Sequence, residues 1–273
     1  MWAPVHRITM SVRAAARILL ACLLCSAQPA RAIELNFSLK HFDRTEYDQS
    51  GVRVNRERGF LPGLRLSAAR ITGAITHSLS IDLHSGSTDY DGRLQSGPSL
   101  DTTTSQRMLS IHYELSAEPA TALPEMFLRL GWHRWRRDIR PTAISNRLLE
   151  RYNWLSLEPG VRVSSLSEDG DRLTFEVSGL ITGGGDVAVD LEATGFGVPR
   201  VELGDGVGMQ LAARYALRLD GDGAIEFSIM HRYLEVERGT PSLISNGSTI
   251  ATITEPESQD RSSVLMLQYR SAL

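Results

Sequence analysis

Thiol chemistry is nearly absent from this chain: its 273 residues contain two cysteines, Cys22 and Cys25, and both fall in a leader that reads as removable. Arg7, Arg13 and Arg17 precede the apolar run Ile18 to Ala27, and a short polar stretch then ends in Ala30-Arg31-Ala32, the pattern of a secretory signal with cleavage expected after Ala32. Leu19-Leu20-Ala21-Cys22 resembles a lipobox, but the four apolar residues between Arg17 and Cys22 make too short a core for that processing. Residues 33–273 then carry no disulfide and no cysteine-ligated metal in an oxidising compartment, so stability must come from hydrogen bonding and burial.

Long hydrophobic runs are missing too. Nothing after residue 32 approaches the roughly 18 apolar residues that a membrane helix needs, so a membrane-spanning chain of this kind must close into a β-barrel, the other structure that pairs every backbone group. Basic residues are not in excess: beyond the leader, 25 stand against 32 acidic ones, a net charge of −7, which argues against nucleic acid as a partner. There is no serine elbow, no metal-ligand spacing and no glycine-rich phosphate loop, so neither cofactor nor metal is expected. Gly204-Asp205-Gly206 falls at a strand start, and Asp220-Gly221-Asp222-Gly223 reads as a hairpin turn.

What the chain does have is alternation. In its last segment Leu265, Leu267, Tyr269, Ser271 and Leu273 share one face, and Met266, Gln268 and Arg270 the other. Ten such segments predict strands at 33–43, 60–70, 75–86, 106–116, 125–138, 152–165, 172–182, 206–219, 224–238 and 261–273. Connections at 71–74, 117–124, 166–171 and 220–223 are short, and those near 44–59, 87–105, 139–151, 183–205 and 239–260 are long. The expectation is an all-β, ten-stranded antiparallel transmembrane barrel over 33–273, with short periplasmic turns and long extracellular loops, exported to a Gram-negative outer membrane.

Aromatic placement agrees. On the proposed outward face, Phe60, Trp132 and Tyr233 fall near the long loops and Tyr113, Tyr215 and Tyr269 near the short turns, which makes two girdles. A soluble sandwich or lipocalin-like barrel would show the same period with the apolar face inward. The other face carries ionisable groups of both signs, among them Lys40, Arg65, Asp82, His84, His112, Arg129, His133, Glu158, Glu176 and Arg232, read as ion-pair networks across a narrow lumen. Leu273 replaces the usual terminal aromatic of the insertion signal, while Tyr269, Leu267 and Leu265 keep the pattern that outer-membrane assembly machinery would recognise.

Two places could carry chemistry. On the fifth strand Met126, Leu128 and Leu130 lead to Trp132, then to Arg134 and Arg136 on the same face: a lipid surface, a girdle ring and two cations, in order of height. Guanidinium groups there would meet lipopolysaccharide phosphates bidentately. At the top of the third strand, Asp89 and Asp91 form a carboxylate pair able to share a proton or hold a water for attack. An exported ten-stranded barrel with such a pair resembles the omptin outer-membrane proteases, in which the pair faces an Asp-His pair across a cleft, and the fifth-strand residues Trp132, Arg134 and Arg136 are similar to that family's lipopolysaccharide-binding strand. The loop after strand seven, from Gly183-Gly184-Gly185-Asp186 through Asp190, holds no histidine, and the family's Trp-Thr-Asp stretch is absent. His84, on the face of Asp82, is the candidate substitute base, with Asp186 or Asp190 as its partner.

Three functions follow as expectations. The first is a binding or structural barrel without turnover, its loops presented to a ligand the sequence does not name. The second is an omptin-type endopeptidase with a rearranged site at Asp89, Asp91 and His84. The third is a narrow channel, disfavoured by the long ionisable side chains assigned to the lumen.

Overall fold

The computed structural model describes residues 32–93, 97–117, 124–219 and 223–270. The expected signal segment before Ala32, most of the turns near 117–124 and 220–223, and the terminal Leu273 lie outside the described residues.

Thirteen strands occur among the described residues: β1 (Ala32–Tyr47), β2 (Arg53–Thr72), β3 (Ile75–Arg93), β4 (Ser99–Ala117), β5 (Glu125–Ile139), β6 (Leu148–Leu166), β7 (Arg172–Asp190), β8 (Arg200–Glu202), β9 (Gly206–Arg218), β10 (Ala224–Val236), β11 (Ser242–Ser245), β12 (Ile250–Ile253) and β13 (Glu257–Arg270). Ten of them form the wall. The sheet runs β6-β5-β4-β3-β2-β1-β13-β10-β9-β7, and pairing of β6 with β7 closes it, every neighbour being antiparallel. The short β8 adds to β7, and β11 and β12 make a separate hairpin. The ten strands expected from alternation are the ten of the wall.

The period leaves inside and outside undecided, and the structure decides it. Phe37 and Phe60 are 62% exposed and Met126 65%, whereas Glu57, Gln106 and Glu158 are fully buried. Apolar side chains face out and polar ones face in, the reverse of a soluble barrel and the arrangement a bilayer selects. The soluble alternative is thereby excluded, and the fold is that of a transmembrane barrel.

The strands extend further than alternation of apolar residues suggests. Segments 44–59 and 87–105 were expected as long loops, yet β1 continues to Tyr47, β2 starts at Arg53, and β3 and β4 pair out to Arg93 and Ser99. The first of these connections is a tight turn in which Asp48 N donates to Val52 O (2.9 Å) and Gly51 takes a φ of 73°. Beyond the apolar belt the wall remains a sheet, but its outer face becomes charged, with Arg56, Arg58, Asp89 and Asp91 outside. A rule that counts apolar alternation ends the strand where the hydrocarbon would end, not where the hydrogen bonds do. We call this charged end the far end, and the end holding Ala32 and Arg270 the terminal end.

Candidate functional site

Inward-pointing residues fill the barrel in layers. Nearest the terminal end, Arg129 reaches Glu114 (2.6 Å), Glu158 (2.9 Å) and Glu176 (3.1 Å). Arg162 pairs with Glu114, Glu125 and Glu176, Arg214 with Glu176, and Arg232 with Glu158. These groups come from strands on opposite sides of the barrel, so the network braces the wall across its bore.

In the middle layer Arg65 holds Asp82 (2.5 Å) and Asp82 approaches His112 (3.2 Å). His133 sits between Ser110 and Ser156, 2.9 Å from each hydroxyl. His84 bonds Ser38 (3.1 Å).

Above this lies an apolar plug. Phe42, Leu61, Trp135 and Tyr152 pack together with Val187, Val189 and Val201. Trp135 stacks on Tyr152 with centroids 4.6 Å apart, Arg44 lies over Trp135 at 5.0 Å, and Trp135 Nε1 donates to Gln106 Oε1 (2.6 Å). A second charge cluster caps the plug: Arg137 donates to Glu46, Glu57 and Glu150, and Arg44 to Glu46, Glu255 and Asp260. Plug and networks together occupy much of the bore among the described residues.

Glu255, in the segment between β12 and β13, receives hydrogen bonds from Tyr152 Oη (3.0 Å) and Arg44 Nη2 (3.1 Å). Burial, then the negative charges of Glu46 and Glu150, push its carboxyl up to about 8, against the pull of Arg44 and Arg137. Because the folded value lies above the ordinary 4.5, the stability tied to this carboxyl is fully present below pH 4.5 and is lost as pH rises through about 8. Urea midpoints of the refolded protein should therefore fall over that window, and Glu255→Gln should flatten the fall. Equal pH slopes in both proteins would count against a protonated Glu255.

The structure does not bring the expected catalytic residues together. Asp89 and Asp91 occupy exposed, outward positions on β3, with the buried Thr88 and Tyr90 as the inward residues between and beside them. Asp91 pairs with Arg53 (2.7 Å), and Asp89 stands in register with Arg58 and Thr103. His84, of even number like the lumen residues of β3, faces in. Strand geometry puts odd and even residues on opposite sides, so His84 and the two aspartates are separated by the wall itself. Asp186 bonds Arg200 at the surface (3.0 Å), and Asp190 accepts from the backbone of Glu192.

Trp132, Arg134 and Arg136 do share the outward face of β5, and register adds two residues that inspection of one strand misses. Arg107 on β4 is opposite Arg136, and Arg136 is opposite Arg151 on β6. Three arginines thus form a row across three strands, with Arg134 two residues below on β5. Like charges directly opposite one another destabilise a sheet. Among the described residues Arg107, Arg134 and Arg151 have no ion pair, while Arg136 shares Asp138 (3.3 Å) with Arg147 (2.5 Å). Trp132 Nε1 and Arg136 Nε are buried donors without a partner among the described residues. Together with Pro62, Leu64, Leu83 and Leu109 the four arginines line a groove of about 740 Å³ on the outer wall. Lys40 is the chain's single lysine, so its cations are otherwise all arginines, the residue suited to bidentate phosphate contacts.

The architecture is that of an outer-membrane β-barrel. No protein-family model matches the chain, and no curated protein sequence matches it. Among solved structures it resembles the outer membrane protease OmpT from Escherichia coli, with a TM-score of 0.52 at 9% identity over 91% of this chain and 99% of that one. The translocator domain of the autotransporter NalP from Neisseria meningitidis follows with a TM-score of 0.43 at 11% identity, covering 94% of each chain. The β-domain of the Bordetella autotransporter BrkA has a TM-score of 0.43 at 12% identity, over 89% of this chain and all of that one. The likeness to the omptin protease is a distant one, of barrel fold.

Proposed function

We propose that this protein is an outer-membrane barrel whose wall binds lipopolysaccharide and whose lumen is a brace, the whole serving a binding or structural role without turnover. The observation that carries this reading is the in-register row Arg107–Arg136–Arg151 directly above the apolar belt. A row of facing cations is favourable when an anion lies across it, and phosphates carried by a lipid anchored beside the belt supply that anion at the right height. The unpartnered donors of Trp132 and Arg136 point to the same requirement, since a buried N–H without an acceptor costs about 1–3 kcal/mol. In this reading the far end faces outward from the cell.

Titrating refolded protein with lipopolysaccharide tests it. Charge-assisted hydrogen bonds contribute about 1.5–3 kcal/mol each, so the triple variant Arg107→Ala/Arg136→Ala/Arg151→Ala should bind on the order of 100-fold more weakly or worse. Trp132→Ala should lose less. Dephosphorylated lipopolysaccharide should bind wild type as weakly as the intact lipid binds the triple variant. Unchanged affinity in the triple variant would remove the wall as the binding surface.

A further inference from the structure

Outside the wall, the most unusual arrangement of side chains lies in the middle layer of the lumen. His112 on β4, His133 on β5 and Glu158 on β6 are buried, and one potential ligand atom from each lies within 4.8 Å of the others. We infer that these three residues form a binding site for a divalent transition-metal ion of the zinc class, tying β4, β5 and β6 together inside the barrel.

Four observations carry the assignment. First, both ring nitrogens of His112 are sealed from solvent and neither makes a hydrogen bond among the described residues, an arrangement that is costly in a polar lumen unless an ion accepts a ring lone pair. Second, Asp82 Oδ2 lies 3.2 Å from His112 Nδ1 and is itself clamped by Arg65. A carboxylate beside one ring nitrogen, which leaves the other for the metal, is how metal-binding histidines are oriented, and a small rotation of the ring would bring Nδ1 into line with Asp82. Third, His133 is fixed by Ser110 at Nδ1 and by stacking on Trp154 at 4.9 Å, so metal binding would displace only the Ser156 hydroxyl at its Nε2. Fourth, the two imidazoles converge to a centroid separation of 5.2 Å because residue 131 is glycine. A Cβ there would stand 2.8 Å from His133 Nε2 and 3.0 Å from His112 Cδ2.

The donor set selects the ion. Two imidazoles and one carboxylate suit zinc and its neighbours in the first transition row, whereas magnesium and calcium prefer oxygen-rich sites. The carboxylate of Glu158 also accepts from Arg129 and Arg232, and these hold it in place as second-layer partners. His112 borders a lumen cavity of about 240 Å³ that extends past Arg65, Gln210 and Glu226 toward Gln268, which offers a path of entry and a position for water as a further ligand.

Untagged protein, stripped with chelator and refolded in detergent, should retain about one equivalent of zinc per chain after dialysis against trace ZnCl2. His112→Gln and His133→Gln should each lower zinc affinity at least tenfold, while His231→Gln, on the outer wall, should leave it unchanged. Wild type loaded with Co²⁺ should show the visible absorption of a low-coordinate imidazole site, a measurement that needs no variant and so survives a folding defect in either. No retained zinc in wild type, a featureless cobalt spectrum, or equal retention in both folded histidine variants would each overturn the site.

Discussion

Replacing Arg137 with alanine is expected to cost about 3–5 kcal/mol, because it leaves buried carboxylates unpaired. The guanidinium is 3% exposed, and the three glutamates that it serves, Glu46, Glu57 and Glu150, are 4%, 0% and 9% exposed. Among the described residues Glu57 has no other cation: its remaining partners are the neutral Thr88 and Gln106. Among the described residues Glu150 keeps only the Tyr152 hydroxyl (3.0 Å). Arg129 also serves three glutamates, yet each of those retains an arginine when it is removed: Glu114 keeps Arg162, Glu158 keeps Arg232, and Glu176 keeps Arg162 and Arg214. Urea unfolding in detergent, read by the gel shift between folded and boiled protein, should therefore rank Arg137→Ala well below Arg129→Ala. The reverse order would show that the number of bonds, not the lack of an alternative cation, sets the cost.

Gly208→Ala should be severely damaging within the wall because of its size. A Cβ at residue 208 would meet the carbonyl oxygen and carbon of Tyr233 on β10 and the Cα of Leu234, all backbone atoms that cannot swing aside. Overpacking of a well-packed site costs about 1–3 kcal/mol, more where neighbours cannot yield, and here relief would require β9 to move off β10. Little of the heat-modifiable band should form on refolding. Gly179→Ala, where a Cβ meets nothing within 4 Å, is the control and should refold as wild type does. Failure of both variants alike would point to backbone flexibility rather than space as the role of glycine in this wall.

The same contacts explain the Gly204-Asp205-Gly206 stretch. A Cβ at 204 would run into the carbonyl oxygen of Glu237, and one at 206 into the Thr182 hydroxyl and then the carbonyl oxygen of Glu235, one step apart along the route that ends at Tyr233 for Gly208. Alternate glycines let the start of β9 lie against the segment leading out of β10, and the motif is one of close approach, as its place at a strand start suggests.

The limits of reading one strand at a time appear at the two expected sites. The shared face of Trp132, Arg134 and Arg136 is legible because they lie on a single strand at spacing two, and that spacing alone puts them on one side. Arg107 and Arg151 carried no such signal: only the register of β4 and β6 against β5 puts them beside Arg136. The carboxylate pair failed in the opposite way. Asp89 and Asp91 share a face as expected at the top of the third strand, but alternation does not say which face, and β3, running on through Arg93, holds both outside. His112, His133 and Glu158 were each assigned to the lumen, yet they are scattered over 47 positions of chain (112–158), with no spacing that marks a ligand set.

The sequence by itself determined that this is a ten-stranded antiparallel barrel with one apolar and one ionisable face, because strand period is local and each strand carries its own copy of the signal. The outward apolar face, expected from the aromatic girdles, is borne out by the exposure of Phe37, Phe60 and Met126, while tertiary structure alone decided how far the wall continues beyond the apolar belt and which charges meet across the bore or along the arginine row. Those depend on closure and register, and a sheet's register is set by hydrogen bonds between segments that the chain order does not compare.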